Sequence, residues 1–171
     1  GAHRLGHATR LTDGMTIVNG KIVNMGSLAQ YVLDRRIPLE MCPTSNVHTG
    51  AVPSIEAHPI DLLRRLRFRV TVNTDNRLIT DTSVSKELWL VHSEMAVPFS
   101  DIKAMVLAGF KSSFLPFHEK QALLREVSAE LAHYDDSGQR HGLTPGVALS
   151  ATLGSTSMER SRPVELRAAE G

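Results

Sequence analysis

The stretch Arg69-Val70-Thr71-Val72-Asn73-Thr74-Asp75-Asn76-Arg77 decides the fold. Its first half alternates apolar and polar residues and is rich in β-branched side chains, so it reads as a short strand. Its second half is a polar cluster with an acid, where the strand should end. A carboxylate at the C-terminal tip of a buried strand is where α/β enzymes place ligands and metals. Thr-Asp-Asn after a strand also suits an ordinary turn or helix cap. The rest of the chain has to decide between the two.

Upstream, Arg4-Leu5-Gly6-His7-Ala8-Thr9 reads as the end of a strand running into a loop. Thr16-Ile17-Val18 and Lys21-Ile22-Val23 flank Asn19-Gly20, a hairpin signal. Ser27 is placed to cap a helix to about Arg36, with Leu28, Tyr31, Val32 and Arg35 on one face and Ile37-Pro38 as its stop. Leu39-Glu40-Met41-Cys42 is a second short strand, and Thr44 to Glu56 reads as a polar loop. His58-Pro59 opens a second helix striped by Ile60, Leu63 and Leu66, with Pro59 in its first turn.

Downstream, Thr82 or Ser83 begins a helix with Val84, Leu88, Val91 and Met95 at helical spacing. Ser100-Asp101 reads as a cap with an acid in the first turn. Pro116 starts a last helix with Leu123, Leu124, Val127 and Leu131 inward. From Asp135 to Gly171 glycines, prolines and small polar residues break every apolar run, and a disordered tail is expected. The expected domains are therefore 1–134 and the tail 135–171.

Alternating strands and helices imply parallel strands with right-handed crossovers. Three such strands leave open edges, and a (β/α)8 barrel needs about 250 residues. The fold class is α/β, and the chain reads as the C-terminal portion of something larger. It begins Gly-Ala-His-Arg-Leu, without a Met, and goes almost at once into patterned sequence.

Composition narrows the function. The 171 residues are 42% hydrophobic and 22% charged, which suits one domain with a real core. Nineteen Lys and Arg against 18 Asp and Glu give a net charge of +1, and so no reason to expect a nucleic-acid or membrane-surface partner. The run Arg64 to Arg69 reads as the solvated face of a short helix and its exit. Cys42 is the only cysteine, so no internal disulfide is available, which suits a reducing cytoplasm. There is no bilayer-length apolar run and no signal-peptide pattern.

Two residues stand out as candidates for chemistry. His7, beside a glycine at a strand end, suits a general base, a metal ligand or a loop histidine with a local hydrogen bond. Asp75 is the other. His3 and His7 have the spacing of a helical zinc pair, but Gly6 argues against a helix there. His48, His58, His92, His118, His133 and His141 form no metal spacing and are assigned surface or capping roles. Cys42 reads as a small buried residue and not a nucleophile. A phosphate-cradling loop and a nucleophile elbow are both absent.

Four segments, in order, resemble the adenosine deaminase family: Arg4 to Ala8; Leu39 to Asn46 with Thr49-Gly50; Val72-Asn73-Thr74-Asp75-Asn76; and Lys111 to Pro116. The resemblance implies a (β/α)8 barrel with one catalytic zinc that hydrolyses adenosine or deoxyadenosine to the inosine product and ammonia. It gives His7 the position of the catalytic histidine that orients the attacking water and helps to deprotonate it. It gives Asp75 the position of the zinc-ligating aspartate. Asn76 falls where much of the family has an aspartate that holds the purine ring; Asn still hydrogen-bonds but carries no charge. The family's His-x-His pair, third zinc histidine and His-Ala-Gly-Glu acid precede the position of His7 and are not in this sequence. The expectation is a deaminase that needs the N-terminal barrel portion as its partner, with no activity or stoichiometric zinc in this chain alone. A related adenine or modified-purine deaminase, or a non-enzymatic module that pairs with an N-terminal half, are the alternatives.

Overall fold

A computed structural model of the chain describes residues 1–141 apart from Gly20. Strands β1 (Leu5–Gly6), β4 (Leu39–Met41) and β5 (Val70–Val72) form one parallel sheet in that spatial order. Between β1 and β4 the chain makes a 3-10 helix (Ala8–Gly14), then the antiparallel hairpin of β2 (Met15–Val18) and β3 (Lys21–Met25). In the sheet, Leu5 and Gly6 lie opposite Leu39 and Glu40, and Leu39, Glu40 and Met41 lie opposite Val70, Thr71 and Val72. The ladder continues past the strands: His7 N–H donates to Glu40 O, and Asn73 N–H donates to Met41 O. This register brings the C-terminal ends of all three strands to one edge.

Four helices cover the apolar side of the sheet: α1 (Ser27–Asp34), α3 (Ile60–Arg65), α5 (Val84–Glu94) and α6 (Phe99–Lys111). Leu39, Met41, Val70 and Val72 point towards them and are buried, together with Val32, Ile60, Leu63, Val91, Ile102 and Met105. Each such side chain contributes about 1.5–3 kcal/mol on burial, so this layer anchors the fold. The residues between them on β4 and β5, Glu40 and Thr71, fall on the opposite face by the period of the strand.

Several local expectations are corrected. The helix α1 is capped by Gly26, not Ser27, and buries Ala29 and Val32 while Leu28 and Tyr31 stay exposed. The expected loop at Thr44 begins instead as helix α2 (Pro43–His48). Proline suits the first helical position, and the carboxylate of Glu87, fully buried on α5, accepts the Thr44 N–H at 2.9 Å in place of a local cap. A further short helix, α4 (Arg77–Thr80), starts on the Asn76 cap.

Helix α3 is capped by Pro59, and Ser100 lies inside α6, whose cap is Pro98. Arg64 is not simply solvated. It pairs with Asp61 on its own helix and with Asp101 on α6, tying the two together. Ser83 caps α5 as expected, accepting from Lys86 N–H. Helix α7 (Phe117–Leu131) turns Leu123, Leu124, Val127 and Leu131 inward, but buries no residue fully.

Of the segment expected as a tail, Asp135–His141 form a turn in which the Asp135 carboxylate accepts from the N–H groups of Ser137 and Gln139. Residues 142–171 lie outside the described residues. Among the described residues no helix is long and apolar enough to cross a membrane.

Candidate active site

The parallel register does most of the assembly. His7 leaves β1, α2 follows β4 directly, and Asp75 lies three residues beyond β5. The backbone then bends sharply at both outer positions. His7 has φ 51° and Asp75 φ 54°, in the left-handed region. Non-glycine residues there cost of the order of 1–3 kcal/mol. Among the described residues five other non-glycine positions share it: Asn19 turns the hairpin, and Arg36, Arg67, Asp81 and Ala96 end helices. His7 and Asp75 alone among them follow strands of the parallel sheet.

These bends bring the two side chains together. His7 Nε2 lies 3.7 Å from Asp75 Oδ2, and both side chains are a little under half exposed, 46% and 45%. Residues of α2 fill the gap between the outer strands. Ser45, buried, donates its hydroxyl to Asp75 Oδ2 at 2.8 Å. Asn46, also buried, places Nδ2 3.0 Å from His7 Nδ1. Each of the two side chains is thus held from behind by a neighbour on one short helix, and each is a little under half exposed.

The Asn46 side chain is held in turn. Its Oδ1 accepts from Cys42 N–H at 3.3 Å and lies 3.1 Å from His58 Nε2. The Ile60 N–H donates to His58 Nδ1 at 3.3 Å. His58 is therefore not a surface residue: it is 3% exposed, and burial pushes its pKa down to about 4. The capping role expected of it is present, at the start of α3. Ser45, Asn46 and His58 carry roles that the sequence did not reveal. Their one cue was His58-Pro59 before an apolar stripe, where a histidine would fall inside the packed helix start.

Cys42 behaves as expected. It is buried, and burial, then the charges of Asp75, Glu87 and Glu40, push its thiol up to about 11. A thiol this reluctant to ionise is no nucleophile at neutral pH. Asn76 caps α4 through Oδ1, which accepts from Leu78 and Ile79 N–H at 3.2 Å each. Among the described residues its amide nitrogen makes no hydrogen bond.

A half-exposed carboxylate and imidazole at this separation are the donor chemistry of a borderline cation such as zinc. No three His, Cys, Asp or Glu side chains among the described residues gather closely enough to hold a metal. The residues fit as part of a ligand set.

Residues 1–130 match the family model described as adenosine deaminase. An adenosine deaminase from Mycobacterium sp. (strain KMS) is 51% identical over 127 residues, covering 74% of this chain and 35% of the relative. The chain thus spans about a third of the length of the curated relatives it matches. Among solved structures, an adenine deaminase from Arthrobacter aurescens aligns with a TM-score of 0.65 at 21% identity, covering 77% of this chain and 37% of its own. An amidohydrolase from Burkholderia ambifaria, solved with bound zinc, aligns at 0.57 and 19% identity, covering 77% and 36%. These two share the fold, and its class is the one expected, an α/β portion of a (β/α)8 barrel. With the family matched over most of its length and half of the aligned positions identical to a relative's, the chain belongs to the adenosine deaminase family.

Proposed function

We propose that this chain forms the C-terminal part of a zinc-dependent adenosine deaminase, acting in a complete barrel on adenosine or deoxyadenosine to give the inosine product and ammonia. The observation that carries the reading is the convergence of His7 and Asp75, from two outer strands, to 3.7 Å at the strand tips. Ligand sites of barrel enzymes lie at that face. The 51% identity to an adenosine deaminase favours adenosine over free adenine.

Asp75 would hold the metal, with the remaining ligands supplied by the N-terminal barrel portion. Zinc bound there would supply Lewis-acid activation of water. Ser45 fixes the Asp75 carboxylate, so that one oxygen is turned to a known direction before any ligand arrives. Preorganisation of this kind removes reorganisation cost from the reaction. His7 presents Nε2 to the same space and is within reach to orient the attacking water and handle its proton. Asn76, with a free amide nitrogen beside Asp75, is the residue that meets the purine ring. We assign residues 1–134 to the barrel and place the protein in the cytoplasm, which the free, buried Cys42 suits.

The test is ammonia release from adenosine, deoxyadenosine and adenine by the complete protein, with the 171-residue chain assayed beside it. Turnover of adenosine by the complete protein, lost with a chelator, and none by the chain alone are the expected results. A preference for free adenine would move the reading to an adenine deaminase. Chelator-sensitive turnover by the chain alone would overturn the shared site.

A further inference from the structure

The end of the sheet opposite His7 and Asp75 carries a different chemistry. Arg4, Pro38 and Arg69 stand directly before β1, β4 and β5. The ladder closes there, with Leu5 N–H donating to Pro38 O and Leu39 N–H to Arg69 O. Beside these positions lies a cleft of about 520 Å³. Arg35, Arg36, Arg69, Lys111 and Lys120 line it, and no Asp or Glu does. Arg4, also in its wall, is already paired with Glu40 at 2.7 Å. Among the described residues the other five make no salt bridge. A second cleft, of about 350 Å³, shares Arg36, Arg69 and Lys111 and adds Arg67. Its acid, Asp101, is engaged by Arg64.

Helix dipoles account for part of this charge. Arg35 caps the C-terminus of α1 and Lys111 lies in the last turn of α6, where cations are favoured. They do not account for the rest. Lys120 is in the first turn of α7, where a cation is disfavoured, and Arg69 lies on no helix. Arg69 is also only partly exposed. Burial, and then the like charge of Arg36, push its pKa down. Cations gathered in a concavity without a carboxylate repel one another, and an anion seated among them offsets that cost. Five positive charges exceed what one phosphate monoester, about −1.5 to −2 at neutral pH, would neutralise.

We propose that this cleft binds a polyphosphate chain, free or carried on a nucleoside, with Arg36 and Arg69 as its forked donors and Lys111 and Lys120 as counter-charges. Guanidinium groups grip phosphate oxygens in pairs, and ammonium groups act as point charges. Arg69 and Asp75 are six residues apart in sequence, up to about 20 Å at the rise of a strand. The anion therefore sits away from the strand tips, and the site does not depend on the deaminase reading.

The experiment is calorimetric titration of the complete protein with sodium tripolyphosphate and, separately, with ATP, at about 0.15 M salt. Saturable binding of both is expected, weakening as salt is raised. Arg69→Gln should weaken it about tenfold or more, the usual worth of hydrogen bonds to a charged group. Arg69→Lys keeps the charge and loses the fork, so its affinity should fall between the two. Lys120→Gln should weaken binding as well. Arg125→Gln removes the same charge from an exposed position of α7 outside the cleft and should leave the affinity unchanged, as should Asp75→Asn. ATP bound as tightly as tripolyphosphate shows that the phosphate chain alone is read; tighter ATP shows that the nucleoside adds to it. Either result supports the site.

No saturable binding of either anion overturns the proposal, and that measurement needs no variant to fold. Unchanged affinity in Arg69→Gln overturns it too. So does an equal loss in Arg125→Gln, which would make the attraction one of overall charge. Loss of binding in Asp75→Asn would put the anion at the strand tips and overturn it likewise.

Discussion

The same three strands are built on opposite principles on their helix side and at their C-terminal tips. On the helix side, Leu39, Met41, Val70 and Val72 are buried in apolar contact. At the tips, a histidine and an aspartate stand half exposed on strained backbone and are held by hydrogen bonds to Ser45 and Asn46. The helix side gains stability from area removed from water. The tips give some of it up in exchange for fixed directions. The lesson of the difference is that the two should respond separately to substitution: one in folding, the other in chemistry.

The largest expected effect is at the tip. Asp75→Asn removes the charge proposed to hold the metal, while Asn keeps the shape and tolerates the left-handed backbone. Turnover of adenosine by the complete protein should fall by at least about 1,000-fold, beyond the usual worth of one outer-shell partner, with the melting temperature little changed. A parallel loss of folding would show that the tip is structural after all.

The opposite substitution is in the core. Leu39→Ala empties a fully buried position on the central strand, and should cost about 2–5 kcal/mol of stability in urea unfolding. The turnover of the molecules that remain folded should hold. A loss of kcat without a loss of stability would break the comparison.

The third effect depends on pH. His58 is held neutral in the fold, at a pKa of about 4 against about 6.5 unfolded. Below the unfolded value the unfolded chain binds the extra proton. Stability from this group is therefore fully present above about pH 6.5 and is lost as pH falls towards 4, by up to about 3 kcal/mol. Comparing the unaltered protein with His58→Gln across this range isolates the histidine from the carboxylates, and the slope should flatten in the variant. Equal slopes would mean that His58 is protonated in the fold.

The smallest effect concerns Asn76, which caps α4 and is also proposed to meet the purine ring. Asn76→Ala removes the cap of α4 and should cost about 1 kcal/mol. Asn76→Asp keeps the cap but turns the free donor into an acceptor. Stability should then hold while KM for adenosine changes, and an unchanged KM would leave Asn76 a cap alone.

The split between helix side and tips also explains what could be read in advance. Strand period, helix stripes and turn residues are local signals, and they located the three parallel strands, the hairpin and most of the helices. His7 and Asp75 could be singled out because each follows a strand of the sheet, at the end where α/β enzymes place ligands, although turn chemistry alone suits both residues as well. Ser45, Asn46 and His58 were not, because their roles exist only through partners 30, 39 and 12 positions away. Helix α2 was missed for the same reason: Glu87, 43 positions on, supplies the cap that its own sequence lacks. Ser27 and Ser100 show the converse error, since each has the right chemistry for a cap and lies one or two positions inside its helix.

The most direct test of the central claim is zinc content and adenosine turnover measured together on the complete protein and on its Asp75→Asn variant. Stoichiometric zinc with turnover in the first, and loss of both in a variant that stays folded, is the expected result. Turnover that survives in Asp75→Asn would contradict it.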